Sequence, residues 1–127
     1  MKKLLIFLFS LLISLNSYGE WKYIITNAND YKYFIDMDKI VEKQGYIYYW
    51  QLTDYPGKDQ FGSRSAVVYY QGDCEIFGHK SLHYYFYKGQ MGEGAVESQH
   101  PVDNKWNYLP PKSVNYIALN WACDYVK

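Results

Sequence analysis

Cys74 and Cys123 are the residues of this sequence with the most definite chemistry. They are its two cysteines and lie 49 positions apart. Neither has a second Cys or a His two to four residues away, the spacing that zinc ligands need. Whether they pair depends on the compartment, and residues 1–19 bear on that. Lys2 and Lys3 form a positive start, residues 4–15 are an apolar run broken by Ser10 and Ser14, and Ser17-Tyr18-Gly19 places small residues where a signal peptidase reads. The pattern predicts a secretory signal over 1–19, cleavage before Glu20, and a single domain over 20–127. The apolar run, about 12 residues, is short of the roughly 20 that a spanning helix requires. In an exported small domain an even pair of cysteines forms a disulfide that persists, so a Cys74–Cys123 bond is expected. Two free buried thiols are the alternative. Closing such a loop stabilises a fold by about 4 kcal/mol in the chain-entropy account.

The other reactive groups are sparser. His79 and His83 share strand parity and are the candidates for a metal or haem role, with His100 farther along. No third ligand of matched spacing accompanies them, so two ordinary sheet histidines, and no metal or cofactor, is the simpler reading. Asp36 and Asp38 are close in sequence and Asp54 also follows a strand-like run. Such carboxylates serve in acid–base chemistry or calcium binding, but no Asp-x-Asp-x-Asp-Gly loop occurs, and turn and cap roles account for them. A Gly-x-Ser-x-Gly elbow and a phosphate-binding glycine loop are both lacking. The expectation is a binding protein and not an enzyme; a small hydrolase using Asp36, Asp54 or His83 is the competing class.

The elements that must position these groups are mostly strands. Residues 21–26, 31–36, 46–53, 63–73 and 75–88 are rich in β-branched and aromatic types. A bend is expected at Gly78. Turn residues occupy 27–30, a short helical turn is predicted over 37–43, and Gln44-Gly45 reverses the chain. Residues 54–62 and 89–94 read as loops, the second as a flexible hairpin loop. A weak sixth strand covers 95–99 or begins near Trp106. After Pro110 and Pro111, Ser113 is placed to cap a helix in which Val114, Ile117, Ala118, Trp121, Ala122 and Tyr125 follow helical spacing. The class is α+β: an antiparallel meander of about six strands with one C-terminal helix on one face.

Strand alternation assigns faces. Cys74 must face the helix if it bridges to Cys123, and Ala66, Val68 and Tyr70 share its parity. Val67 and Tyr69 then point the other way, joined by Tyr85 and Tyr87 if no bend intervenes. These four residues form the candidate binding surface, since no second helix is available to cover that face and exposed apolar patches mark interaction sites.

Composition bounds the function classes. The 127 residues carry 13 basic and 13 acidic side chains, and loss of Lys2 and Lys3 leaves a charge of about -2. That balance argues against nucleic acid as a partner. Mean hydropathy of -0.39 is too polar for a polytopic membrane protein. With 20% aromatic residues, 16 of them Tyr, the chain is not disordered. Tyr gives large, stiff contact area at low entropy cost.

One ordered set of residues points further. An early Trp21 precedes Tyr33-Phe34-Ile35-Asp36 and Ile40. Gly45 and an aromatic strand ending Trp50-Gln51-Leu52-Thr53-Asp54-Tyr55 follow. Then come Asp73-Cys74, Trp106, Pro110-Pro111-Lys112-Ser113 and Cys123. Over essentially the whole mature chain this resembles the bacterial surface-adhesin protein E family. The resemblance implies a six-stranded antiparallel sheet whose C-terminal helix is tied to its concave side by a disulfide, with Cys74 and Cys123 as the pair. It also implies a Gram-negative envelope location, in the periplasm or at the outer membrane and cell surface. The implied partners are host matrix and plasma proteins such as laminin, vitronectin and plasminogen, and in some members haem. A homodimer is a further expected assembly. The chain departs from the lipid-anchored adhesins in lacking an N-terminal lipidation Cys, which favours the periplasm, and none of their ligand-binding segments matches it. A periplasmic structural or accessory role is the second reading.

Overall fold

The computed structural model describes residues 20–99 and 104–127; the expected signal segment and His100 lie outside the described residues. Among the described residues, eight strands and one α-helix follow in the order β1 (Trp21–Thr26), β2 (Lys32–Asp36), β3 (Val41–Lys43), β4 (Tyr46–Asp54), β5 (Ser65–Asp73), β6 (Gly78–Tyr87), β7 (Val96–Gln99), β8 (Asn107–Tyr108) and α1 (Val114–Tyr125). The sheet runs β1-β2-β4-β5-β6-β7, every pairing antiparallel. It is the expected meander, with both candidate segments for a sixth strand in use: β7 lies beside one end of β6 and β8 beside the other.

Residues 37–43 differ from the expected helical turn. Only Met37–Lys39 forms a 3-10 turn, and Asp36 caps it by accepting the Asp38 backbone N–H at 3.2 Å. Val41–Lys43 is instead a strand paired to β4. Gln44 and Gly45 both have positive φ, 54° and 84°, the backbone of a two-residue hairpin turn whose twist suits antiparallel strands. The 89–94 loop holds a 3-10 turn at Gln90–Gly92. Ser65 anchors it, donating from its hydroxyl to the Gly89 carbonyl and accepting the Gly92 N–H at 2.9 Å.

α1 begins where expected. The Ser113 hydroxyl accepts the Tyr116 N–H at 3.2 Å. Its buried residues are Ala118, Leu119, Ala122 and Cys123, which pack with Ile35, Ile47, Tyr49, Val68 and Tyr70 from the sheet. Ala118 and Ala122 belong to the expected stripe and Trp121 packs partly buried beside them, while Leu119 and Cys123 widen it and Tyr125 is 53% exposed. Cys74 and Cys123 form a disulfide with Cα atoms 5.9 Å apart, which holds the Cys123 side of the helix against the sheet.

Close approach of the helix depends on Gly72. A Cβ there would lie 2.6 Å from Leu119 Cδ1 and 3.1 Å from Ile47 Cγ2. Leu119 and Ile47 are themselves buried, so neither has free space to yield. Gly72→Ala is expected to cost about 1–3 kcal/mol as an overpacked core, seen as a lower urea midpoint at unchanged slope. An unchanged midpoint would show that Leu119 swings aside without cost.

Candidate functional site

The two faces of the sheet differ because one is covered by α1 and the other is not. On the uncovered face, consecutive strands align their side chains in rows. Trp21 pairs with Asp36, Trp50 with Tyr69, and Tyr69 with His83. In the adjoining row Phe34 pairs with Leu52, Leu52 with Val67, and Val67 with Tyr85.

The rings of this face stack on one another. Trp50 and Tyr69 lie 4.5 Å apart at 28°, and Tyr69 and His83 6.1 Å apart at 17°. Tyr85 stands 6.2 Å from both Trp50 and His83, and Tyr48 6.1 Å from Tyr69. Neighbouring strands are about 4.8 Å apart, so side chains standing off the sheet meet ring face to ring face. Such a stack presents ring edges and polar tips outward. Tyr48, Trp50, Tyr69 and Tyr85 are half-buried and His83 is exposed. Desolvation raises the Tyr69 phenol above its ordinary pKa, with Tyr48 adding to it. The hydroxyl therefore stays protonated and available as a donor.

Two segments border the stack. At one end Trp106 lies 5.5 Å from Tyr46, with Lys80 Nζ 5.2 Å above its ring. At the other the Gln90–Gly92 turn lies over Leu52 and Val67. Gly92 has φ +70°, and a Cβ on it would sit 3.2 Å from Val67 Cγ2. Beside this turn is a hollow of about 200 Å³, lined by Trp21, Trp50 and Tyr87, with Val67 and Gly92 on one side and Asp36 and Lys39 on another.

Of the candidate surface residues, Tyr69, Tyr85 and Tyr87 lie on the uncovered face and are half-buried. Val67 shares that face but is 6% exposed, because the Gln90–Gly92 turn covers it. Trp50, Tyr48 and His83 belong to the same stack and were not among the residues that parity along β5 and β6 selected. Trp50 was recognisable as strand-borne, but only the β4–β5 register places it against Tyr69.

His79 and His83 do not line one face as their parity predicts. The β5–β6 register shifts between Tyr69 and Tyr70, so that Tyr70 pairs with Ser81 and Tyr69 with His83, leaving Leu82 as the extra residue of a bulge. His79 consequently turns to the helix side, 4% exposed, stacked on Tyr70 at 4.0 Å and with Nδ1 3.2 Å from the Tyr49 hydroxyl. Burial lowers its pKa to about 4. A ligand pair from these two histidines is thus geometrically broken. Among the described residues no group of three or more His, Cys, Asp or Glu is arranged to hold a metal ion.

The carboxylates are also dispersed. Asp36 lines the hollow already described, whereas Asp54 accepts the Met91 N–H at 2.9 Å and lines a separate polar hollow with Asp30, Lys32 and Tyr55. His83 belongs to the ring stack. The three groups named for a hydrolase therefore sit in three different surroundings.

Comparison with known proteins places these features. The sequence pattern of the family described as Surface-adhesin protein E matches residues 21–124. Among solved structures, crystal form II of Haemophilus influenzae protein E superposes with a TM-score of 0.68 at 19% identity, covering 88% of this chain and 94% of that one. A second structure of Haemophilus influenzae protein E gives 0.66 at 18% identity, covering 86% and 87%. Protein E from non-typeable Haemophilus influenzae gives 0.61 at 17% identity, covering 87% and 80%. At such identities the structural likeness is one of fold. No curated protein matches the sequence.

Proposed function

We propose, from the premise that this chain belongs to the surface-adhesin protein E family, that it is an exported, non-catalytic envelope protein whose uncovered aromatic face binds another protein. The observation that carries this reading is the ring stack of Tyr48, Trp50, Tyr69, His83 and Tyr85 on a face that α1 leaves open. Large rigid aromatics with polar tips are the side chains that dominate protein–protein contacts. The partner is a host matrix or plasma protein, or a second copy of the chain. The signal-like segment 1–19 supports export, and no helix among the described residues is long and apolar enough to cross a membrane.

The test is direct. Mature protein is applied to immobilised laminin, vitronectin and plasminogen, and its oligomeric state is measured by sedimentation. Tyr69→Ser and Tyr85→Ser are each expected to weaken the observed association at least tenfold, the loss of about 1.4 kcal/mol or more that a central aromatic contact carries. Each also removes ring contacts worth about 0.5–1.5 kcal/mol to the fold, so the melting temperature falls by several degrees and the domain stays folded. A monomer that binds none of the three proteins would sink this reading. So would association unaltered by both substitutions.

A further inference from the structure

We propose that the hollow beside the Gln90–Gly92 turn is a binding site for an organic cation, a guanidinium or alkylammonium group. It stands apart from the ring stack's reading as a protein surface, and its test needs no partner protein. The argument starts from Asp36. This residue is 1% exposed, and a buried carboxylate must be compensated by charge or hydrogen bonds. One oxygen accepts the Asp38 N–H at 3.2 Å. The other has the Lys39 ammonium at 3.6 Å, and that side chain is 64% exposed. An ion pair held by so exposed a partner is weak and replaceable.

The rest of the wall suits a cation as well. Trp21, Trp50 and Tyr87 line the same space, and aromatic ring faces attract cations electrostatically, most strongly Trp and most of all guanidinium and substituted ammonium groups. A buried carboxylate with two indoles and a phenol around it is an arrangement of one electrical sign, for which Lys39 supplies a tethered counter-ion. The volume of about 200 Å³ falls below the roughly 300–1,000 Å³ of pockets that take drug-sized ligands. It admits one cationic group or one side chain, not a folded segment. Access is from the uncovered face, where α1 does not reach.

The register explains why these residues meet. Trp21 pairs with Asp36 across β1 and β2, and Ile35 pairs with Gln51, which brings Trp50 next along β4 to the far side of Asp36. Tyr87 closes the hollow from the end of β6.

The experiment records the indole N–H signals of Trp21 and Trp50 by two-dimensional NMR of the mature protein. The titrants are argininamide, tetramethylammonium and end-blocked Gly-Arg-Gly, with acetate as the anionic control. The proposal expects saturable shifts of both indoles with the cations and none with acetate. Lys39→Ala removes the competing ammonium and should tighten cation binding by about two- to fivefold, the factor an ordinary exposed ion pair represents. Asp36→Asn keeps an oxygen for the Asp38 N–H and should abolish saturation while the far-ultraviolet spectrum stays folded. If that variant does not fold, Lys39→Ala decides alone. Binding of the tripeptide as tightly as of argininamide points to a side chain of a protein as the natural cation, and binding of the free cations only points to a small molecule. No saturable shift in either the native protein or Lys39→Ala overturns the proposal. An undiminished response in folded Asp36→Asn overturns it equally.

Discussion

Replacing Cys74 and Cys123 together by Ala lowers stability by about 4 kcal/mol, the cost of releasing a 49-residue closed loop in the unfolded chain. Single domains are stable by only about 5–15 kcal/mol, so this is a large share. At about 4–8 °C per kcal/mol for a domain near this size, the melting temperature should fall by roughly 20 °C or more. The physical contacts add to the entropic effect. Cys123 is 4% exposed and packs among Ala118, Leu119 and Ala122 against the sheet, so Ala leaves a small void there. The loss should appear as a fall in urea midpoint, reproduced by adding reductant to the native protein. A stability loss below about 1 kcal/mol would show that helix packing alone sets the stability and would overturn the expectation.

The second large effect is a dependence on pH that traces to His79. Its folded pKa is lowered from 6.5 to about 4 by burial, while in the unfolded chain it titrates near 6.5. Between these values the unfolded state binds a proton that the folded state refuses. Stability from this group is therefore complete above about pH 6.5 and lost as the pH falls toward 4, by about 3 kcal/mol in all. The groups facing the imidazole are the Tyr70 ring and the Tyr49 hydroxyl. Burial holds both phenols well above their ordinary pKa, so neither ionises in this window to offset the loss. Chemical denaturation of the native protein and of His79→Gln at pH 7, 6, 5 and 4 isolates the effect. The native protein should lose its lead over the variant, or fall behind it, as pH drops. A difference constant across that range would show that His79 takes up a proton without opening the fold.

The parts of this fold that could be read from residues are those with local chemical signatures. Ser113 beyond Pro110 and Pro111 announces a helix start because a hydroxyl satisfies an orphan amide. The strands β1, β4 and β5 carry aromatic and β-branched runs that fit a half-buried pleated surface. The disulfide follows from an even pair of cysteines behind a signal-like segment. Features set by register were not legible. Leu82 sits between Ser81 and His83 with no glycine or proline to mark a bulge, yet its insertion sends His79 and His83 to opposite faces. β3 was hidden because Gln-Gly is a less usual hairpin pair than Asn-Gly. Asp36 was recognisable as a turn carboxylate, a role it does fill. Its second surroundings, Trp21 and Trp50, come from two other strands, and no spacing along the chain encodes that meeting.

The order of pairing in the sheet also sets an order of assembly. Most neighbours in β1-β2-β4-β5-β6-β7 are consecutive in the chain, so each hairpin closes over a short loop at small entropic cost. α1 is different: it follows every strand, yet it packs on β1, β2 and β4 near the chain's beginning. Its docking is the long-range closure of the molecule, and the entropy of loop closure places it after the hairpins in the expected order. Until then Ile47, Tyr49 and Tyr70 form a bare apolar surface and Cys74 waits as a thiol without its partner. This interval is when the emerging chain is most open to aggregation, and an oxidant that acts on it must act late.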